Sequence, residues 1–541
     1  MIAVIVDDAQ LGAAHEFFQL FKTPWELYVE GRSYDVILCA NGVADLPNAR
    51  LTIVYGADKR PMDRSLGIEA LTQRSPVEVG WEGSVFPVYA GTASFDCNAA
   101  AALTIKATGR AAGIAITRSD RTVARIGYDL FSEVEVLLAG CQPADRAAVP
   151  TLEIHIAIVR GLMIQAGLDF VEIPPVPHGH DLVACLTHDV DFFGIRPHPC
   201  DRTLLGFLYR ATWGTFLDAL KGRVRWQKLR LNVKAVLSLP AVYLGLAQDF
   251  WGSAELDRFF AAEKGLKSTY FFLPFPDVPG QLRTGQAPAW RAGKYDIRKI
   301  QDAVRRIVSA GCEVALHGID AWRDSARGIQ EAMAIRAVSG RSVSGVRMHW
   351  LYSDEQSPRA LEQAGVSYDS TCGYNSAVGF RAGTAQVFRP LSVTRLRELP
   401  LLIQDTALFS GARMSLSEGQ AFPQCERVIR EVLTYGGVVT INWHTRSLSP
   451  ERLWGDFYGR VLSLLRSRAT WFATAEQVTG WFASRRAIAF RSEAANGQKT
   501  IVEGVTSTFG PKLKVVRRTA ARRRHIEIPI ERDGEVAGTY A

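Results

Sequence analysis

The chain has no run approaching the ~18 uncharged apolar residues that a membrane-spanning helix needs, and its mean hydropathy is only +0.01. A multi-span membrane protein is therefore excluded as a reading. Its first residues, MIAVIVDDAQLG, lack a basic segment followed by a long apolar one. No secretion signal is expected, and the cytoplasm is the expected compartment. Cysteine is sparse and unpatterned: eight residues in 541, with no CxxC pair and no tight spacing. They read as free, mostly buried thiols of a reducing environment rather than as a disulfide framework. GxG-type phosphate signals are missing from the N-terminal region, and no internal repeat or low-complexity tract is evident.

What is present is ordinary for a large soluble protein. Hydrophobic residues make up 47% and charged residues 22%, which excludes a disordered chain, a collagen-like fibre and a disulfide-stapled mini-protein. At ~150 residues per domain the length allows roughly three to four domains. The formal charge of +8 is uneven. Seven basic residues and no acid lie between Lys512 and Arg524, and without them the remainder carries +1. The high isoelectric point is thus a property of the C-terminal segment and does not indicate a nucleic-acid-binding core.

Three regions are expected. Residues 1–175 combine short apolar runs (Ile2–Val6, Val36–Cys39, Leu51–Tyr55) with an amphipathic stretch at His15–Phe21, a strand-rich patch at Val77–Phe95 and helices at Tyr128–Leu138 and Leu152–Ala166. They read as an α/β accessory domain. After the prolines at 174, 175 and 177, residues 180–485 alternate helices with strands that end in polar motifs, the pattern of a parallel (β/α) barrel or sheet. In this region Asp296 is a plausible N-cap of a helix running to Ala310. Residues 195–250 break the alternation as a helical insertion. Residues 486–541 form a β-rich basic extension.

The chemistry-bearing residues sit at strand ends. The apolar run Leu182–Leu186 delivers His188, Asp189 and Asp191 into what reads as one short loop. Two carboxylates two residues apart can divide labour, one binding a divalent metal and the other taking a proton from the attacking water; the alternative is an Asp-rich turn. Cys312–Leu316 runs into His317, and Val438–Ile441 runs into Trp443 and His444. Three strand ends, each carrying Asp or His, describe a mononuclear hydrolytic metal site with a separate general acid.

The ordered set LTHDVDF, EVALHGID, GVRMHWLY and INWH resembles the polysaccharide deacetylases of carbohydrate esterase family four, over residues 180 to 480. The resemblance implies a distorted (β/α) barrel and removal of N-acetyl groups from sugars with a divalent metal, most commonly zinc. It implies Asp189 as catalytic base and Asp191 as metal ligand. His317 is implied as metal ligand, Arg347 as the arginine that orients the base, and His444 as the acid for the leaving amine. Asp405 is expected to hold His444. The chain departs from the pattern where the family usually has a second metal-binding His four residues after the first: Ala321 stands there. Asp320 is the expected substitute, with a helix-capping role as the alternative. The family's usual Pro in the third motif is His349. A weaker site, a different metal and a lost activity remain open on the sequence.

Secondary expectations concern the surroundings. Phe380–Thr384, with Arg381, reads as a substrate-facing loop or a solvated turn. Trp350, Tyr352, Trp443 and Trp454 are candidates either for sugar stacking or for the core. In the insertion, Lys221, Arg223, Arg225, Lys228, Arg230 and Lys234 occur without an intervening acid, between apolar stretches at Leu204–Leu220 and Ala235–Ala247. A helical hairpin packed on the barrel with a solvated basic turn is expected. The alternative is peripheral contact of 204–247 with the inner face of a membrane. The expected partner is an N-acetylated sugar or glycan precursor, free or lipid-linked, in surface polysaccharide assembly, with no nucleic acid. A non-catalytic glycan-binding protein and a hydrolase of non-sugar amides are the alternatives.

Overall fold

The computed structural model describes residues 1–40, 48–73, 76–96, 100–493, 499–503, 510–519, 522–529 and 535–540. Cys97 lies outside them. The seven other cysteines are free thiols, of which Cys39, Cys185 and Cys425 are buried and Cys200 is exposed. The chain forms two compact units that interleave in sequence. One comprises Met1–Gly179, Phe380–Leu391 and Gly480–Ala541, the other His180–Gly379 and Ser392–Thr479.

In the first unit, Ile2–Ile5, Trp25–Leu27, Val36–Cys39, Leu51–Tyr55 and Arg121–Ile126 form a parallel group that continues into antiparallel strands. The amphipathic stretch is the helix Leu11–Phe21, burying Phe17, Phe18, Leu20 and Phe21. Phe380–Leu391 packs here rather than as a loop of the second unit. Gln142 donates from its amide side chain to the Phe380 carbonyl (2.6 Å), and the Arg389 backbone amide donates to Glu16 (2.8 Å). The basic C-terminal segment contributes the strand Lys514–Thr519. Lys514–Thr519 pairs antiparallel with Phe170–Glu172, and Arg518 with Arg160 grips the buried Glu172 at 2.6 and 3.0 Å. Burial alone would raise that carboxyl, but the two guanidiniums outweigh it and hold it below its ordinary value. Side chains of Arg522–Arg524 lie outside the described residues.

The second unit is a distorted (β/α) barrel. Its parallel strands run in the order Tyr368–Asp369, Gly345–Met348, Glu313–Gly318, Ser268–Phe272, Leu182–Val190, Val438–Asn442. One short stretch supplies both edge strands of this path. Arg397–Glu398 pairs with Tyr368–Asp369, and a few residues later Ile403–Gln404 pairs with Val438–Asn442. Leu182–Val190 is buried at every position. A strand covered on both faces must be continuously apolar or carry polar groups that find partners, and Thr187, His188 and Asp189 are its polar exceptions.

Local sequence sets the flanking elements. The segment after Asp296 begins as a short 3-10 turn, Ile297–Ile300, with the Asp296 carboxylate accepting the Arg298 amide at 3.0 Å, and continues as the helix Gln301–Ser309. Gly311, at φ 71°, ends it. The insertion is helical at Arg202–Tyr209, Arg210–Gly214, Thr215–Leu220 and Trp226–Tyr243. The basic stretch is therefore a turn only as far as Arg225; Lys228, Arg230 and Lys234 lie on the second helix. Phe207, Ala211, Ala235, Leu239 and Val242 pack with Trp251 between the helices. No described helix is long and apolar enough to cross a membrane.

Candidate active site

Side chains alternate along a strand, so residues two apart share a face. Three barrel strands each use this at their C-terminal ends: Asp189 and Asp191, Arg347 and His349, Asn442 and His444. The strand bearing Asp189 runs on through Val190, which corrects the expected loop. His188 consequently points away from Asp189. Its Nδ1 lies 2.8 Å from the Trp443 carbonyl and its Nε2 2.9 Å from Glu263, among Phe259 and Tyr270.

Asp191, His317 and His349 bring one ligand atom each to within 4.8 Å of one another. Asp191 Oδ1 lies 3.2 Å from His317 Nε2 and 3.3 Å from His349 Nδ1, and those two nitrogens are 3.0 Å apart. The far nitrogens settle the tautomers. His317 Nδ1 lies 2.8 Å from the Arg347 carbonyl, and His349 Nε2 lies 2.8 Å from the Arg291 carbonyl. A carbonyl only accepts, so each ring spends its proton there. In its neutral form each ring therefore turns a lone pair toward a carboxylate oxygen that is buried with no hydrogen-bond partner. Three converging electron pairs without a proton between them fit a cation. Burial is the main influence on His349, and it keeps the ring below its ordinary imidazole value despite Asp191. Burial would raise Asp191, but His349, His317 and His444 prevail and hold its carboxyl well below the ordinary range.

Asp189 is held differently. Its Oδ1 accepts from Arg347 Nη1 at 2.9 Å and its Oδ2 from Asn442 Nδ2 at 2.8 Å. Arg347 is fully buried and also donates to the Ser370 carbonyl, Ser370 Oγ and Thr187 Oγ1. Burial works against the Asp189 anion, but Arg347, His317 and His444 overcome it and keep the carboxyl below its ordinary value. Asp189 Oδ2 is 4.0 Å from His317 Nε2, beside the cluster.

His444 faces the same space, with Nε2 3.7 Å from Asp191 Oδ2. Its Nδ1 is 2.6 Å from Asp405 Oδ1, and its backbone amide donates to Asp405 Oδ2 at 2.7 Å. Burial would lower this imidazole, yet Asp405, Asp191 and Asp189 together raise it above its ordinary value.

Asp320 is elsewhere. Its Oδ1 accepts the Gln281 amide at 2.8 Å, and it stands outside the Asp191–His317–His349 cluster. Neither is it the cap of the following helix, which Asp324 provides through the Arg327 amide. The physical reason is register: the chain turns out of the strand after Gly318, and His349 fills the position that Asp320 was expected to take. Asp320→Ala is therefore expected to leave metal content after dialysis unchanged; loss of metal in that variant would restore Asp320 as a ligand. Reasoning from sequence also missed Asn442 and Arg291, whose guanidinium donates to the His349 carbonyl at 3.0 Å. Asn442 and His349 carried a signal, their two-residue spacing from His444 and Arg347. Arg291 carried none.

Among the aromatic candidates, Trp443 belongs to the core, stacked on Phe457 and Tyr458. Trp454 packs on Phe409. Trp350 is exposed beside His349 and holds φ at 64°, a left-handed conformation unusual for a bulky residue. Its carbonyl accepts from Asn375 Nδ2 at 2.8 Å.

No family model matches the chain, and no curated protein matches it. Solved structures similar to it include a Mycobacterium smegmatis protein assigned as a polysaccharide deacetylase. That one is 17% identical, covers 60% of this chain and 98% of its own, and has a TM-score of 0.37. PuuE allantoinase is 13% identical, with 58% and 94% covered and a TM-score of 0.35. A Pseudomonas aeruginosa PAO1 protein, also assigned as a polysaccharide deacetylase, is 13% identical, with 57% and 92% covered and a TM-score of 0.36.

Proposed function

We propose that the protein is a metal-dependent hydrolase that removes an N-acetyl group from a sugar or glycan precursor in surface polysaccharide assembly, on the cytoplasmic side. The observation that carries this reading is the convergence of Asp191, His317 and His349 beside a guanidinium-held Asp189 and a carboxylate-held His444. A glycan-binding protein without catalysis was suggested by Ala321, where a second histidine is usual. His349, just past the end of the neighbouring strand, brings a nitrogen to 3.0 Å from His317 Nε2, which favours the catalytic reading.

A divalent cation held by Asp191, His317 and His349, most simply zinc, would polarise the amide carbonyl and make water a better nucleophile near neutral pH. The protein's own groups do the rest. Asp189 takes the proton of the attacking water; Arg347 and Asn442 fix one oxygen each and keep the carboxylate ionised. The water oxygen bonds to the acetyl carbon as the C–N bond breaks. His444, its Nδ1 proton engaged by Asp405, gives the proton on Nε2 to the departing amine, because an amine leaves only when protonated. The products are acetate and a free amino sugar. Trp350, exposed beside His349, is suited to stack on a sugar ring.

The test is metal analysis of the purified protein, with acetate release from a panel of N-acetylated sugars and glycan fragments measured before chelation, after it and on adding metal back. Loss and recovery of acetate release with metal is the expected result. A metal-loaded protein that releases acetate from none of the panel sinks the sugar assignment, and activity on non-sugar amides instead would place it in that class. Full activity without metal sinks the mechanism.

A further inference from the structure

The hairpin that follows Asp191 has an outer surface unlike the rest of the molecule. Ten of the twenty exposed large hydrophobic side chains among the described residues lie between Leu205 and Leu246, a small fraction of the chain. Periodicity explains the arrangement. The helix Trp226–Tyr243 buries Asn232, Ala235, Leu239 and Val242, one face at three- and four-residue spacing. The opposite face presents Arg230, Val233, Lys234, Leu237 and, just beyond the helix, Leu244. Leu237 and Leu244 are 76% and 73% exposed. On the first arm Leu205, Tyr209 and Trp213 recur at four-residue spacing and are all exposed. Trp213 contacts Phe216, and Phe216 contacts Trp226 (ring centroids 5.7 and 6.1 Å). These rings join the two arms into one aromatic patch beside the turn that carries Lys221, Arg223 and Arg225.

We propose that this hairpin docks on the anionic leaflet of a lipid bilayer. Charge selects that occupant. From Ala219 to Gln248 there are six basic residues and no acid; among the described residues Lys228 pairs with Glu418 at 2.8 Å and Arg223 with the exposed Asp218 at 3.7 Å. A second copy of the chain meeting this face about a two-fold axis would set basic against basic. An anionic surface complements it, while leucines and tryptophans enter the headgroup boundary, the usual composition of an interfacial helix. No described helix is long and apolar enough to cross the bilayer, and the proposed contact is a peripheral one.

Both arms of the hairpin are tied to the loop that follows His444. Arg210 Nε donates to Glu451 at 2.9 Å, and Asn232 Oδ1 accepts the Glu451 amide at 2.7 Å. Glu451 stands in the loop after His444, and the insertion itself begins just after Asp191. Docking would therefore hold the barrel's open end near the lipid surface, where a lipid-linked substrate could reach it. The docking surface itself does not depend on the hydrolase reading.

The test is co-sedimentation of the full-length protein with phosphatidylcholine vesicles, with and without phosphatidylglycerol, at low and high salt. Wild type is expected to bind the phosphatidylglycerol vesicles and to release at high salt. Arg230→Glu with Lys234→Glu is expected to weaken that binding by about fivefold or more per charge. Trp213→Ala, Leu237→Ala and Leu244→Ala together are expected to weaken it at least as much. All five side chains are exposed, so an unchanged melting temperature verifies folding. Wild type remaining in the supernatant with anionic vesicles at low salt overturns the proposal. So does a dimer, seen by sedimentation velocity, that the apolar triple variant dissociates while vesicle binding is absent. Neither outcome touches acetate release from soluble sugars, so failure here is distinguishable from failure of the hydrolase reading.

Discussion

His349→Ala is expected to empty the metal site and to abolish acetate release, whereas Asp189→Asn is expected to abolish turnover with the metal still bound. The first variant removes one of three converging ligand atoms. The loss in metal affinity should exceed the ~10–100-fold typical of losing a mere outer-shell partner. The second leaves Asp191, His317 and His349 in place and removes the proton acceptor, a group whose contribution is typically ~10²–10⁴ in rate. Metal content by mass spectrometry and acetate release, measured on the same preparations, separate the two effects. An Asp189→Asn protein that comes out metal-free would make Asp189 a ligand. A His349→Ala protein that keeps both metal and activity would return the third ligand position to another residue. Melting curves guard against trivial unfolding, since His349 is buried and bonded to the Arg291 carbonyl.

The barrel was legible because its strands carry the information twice. Leu182–Leu186 reads as a buried parallel strand from its apolar run, and the polar residues that follow it announce the site because nothing polar is placed there without a partner. The N-terminal segment reads as α/β from its apolar runs and the C-terminal one as β-rich from its β-branched residues; that both belong to one compact unit is written in neither. What the sequence left obscure depended on long-range geometry. Asp320 looked like a ligand because it lies close to His317 in sequence, yet proximity after a strand end says little once the chain has turned. His349 lies 32 residues from His317, and only parallel pairing of Glu313–Gly318 with Gly345–Met348 brings them together. Its clue was the alternation it shares with Arg347. The membership of Phe380–Leu391 in the first unit had no local signal, because it is decided by partners such as Gln142 and Glu16 that lie far away in the chain.

The Arg347–Asp189 pair illustrates why this arrangement is better read as functional than as stabilising. Taking both charges out of water costs several kcal/mol per ion before their attraction is counted. A well-packed apolar pair would serve a barrel core as well or better. The cost makes sense where an ionised carboxylate must stand beside a cation and accept a proton, with its orientation fixed on both oxygens. The Asp405–His444 pair follows the same logic with the opposite charge. The carboxylate has four donors: the His444 ring, the His444 amide, Ser447 Oγ and the Thr406 amide. The imidazole it holds is left with one nitrogen free to work.

His444→Ala is expected to retain metal, to lose ~10²-fold or more in rate on an N-acetyl sugar, and to lose much less on an activated aryl acetate. The difference follows from the leaving group. An amine must be protonated as the C–N bond breaks, so removing the acid removes most of the rate. An aryloxide leaves as the anion and needs little help. The pH dependence carries the same signature. His444 works protonated, and its acidities are shifted so that the proton is kept above the ordinary imidazole value of 6.5. Activity on the amide should thus persist through neutrality and fall as pH rises past that shifted value. Asp189 works ionised and is held below its ordinary 3.8, so the acidic limb should lie low. Asp405→Asn removes the strongest influence raising His444, and the alkaline limb should move to lower pH while the acidic limb stays. Measuring both substrates across pH in wild type, His444→Ala and Asp405→Asn decides the matter. Equal slowing of the two substrates in His444→Ala, or an alkaline limb unmoved in Asp405→Asn, would take the leaving-group proton away from His444.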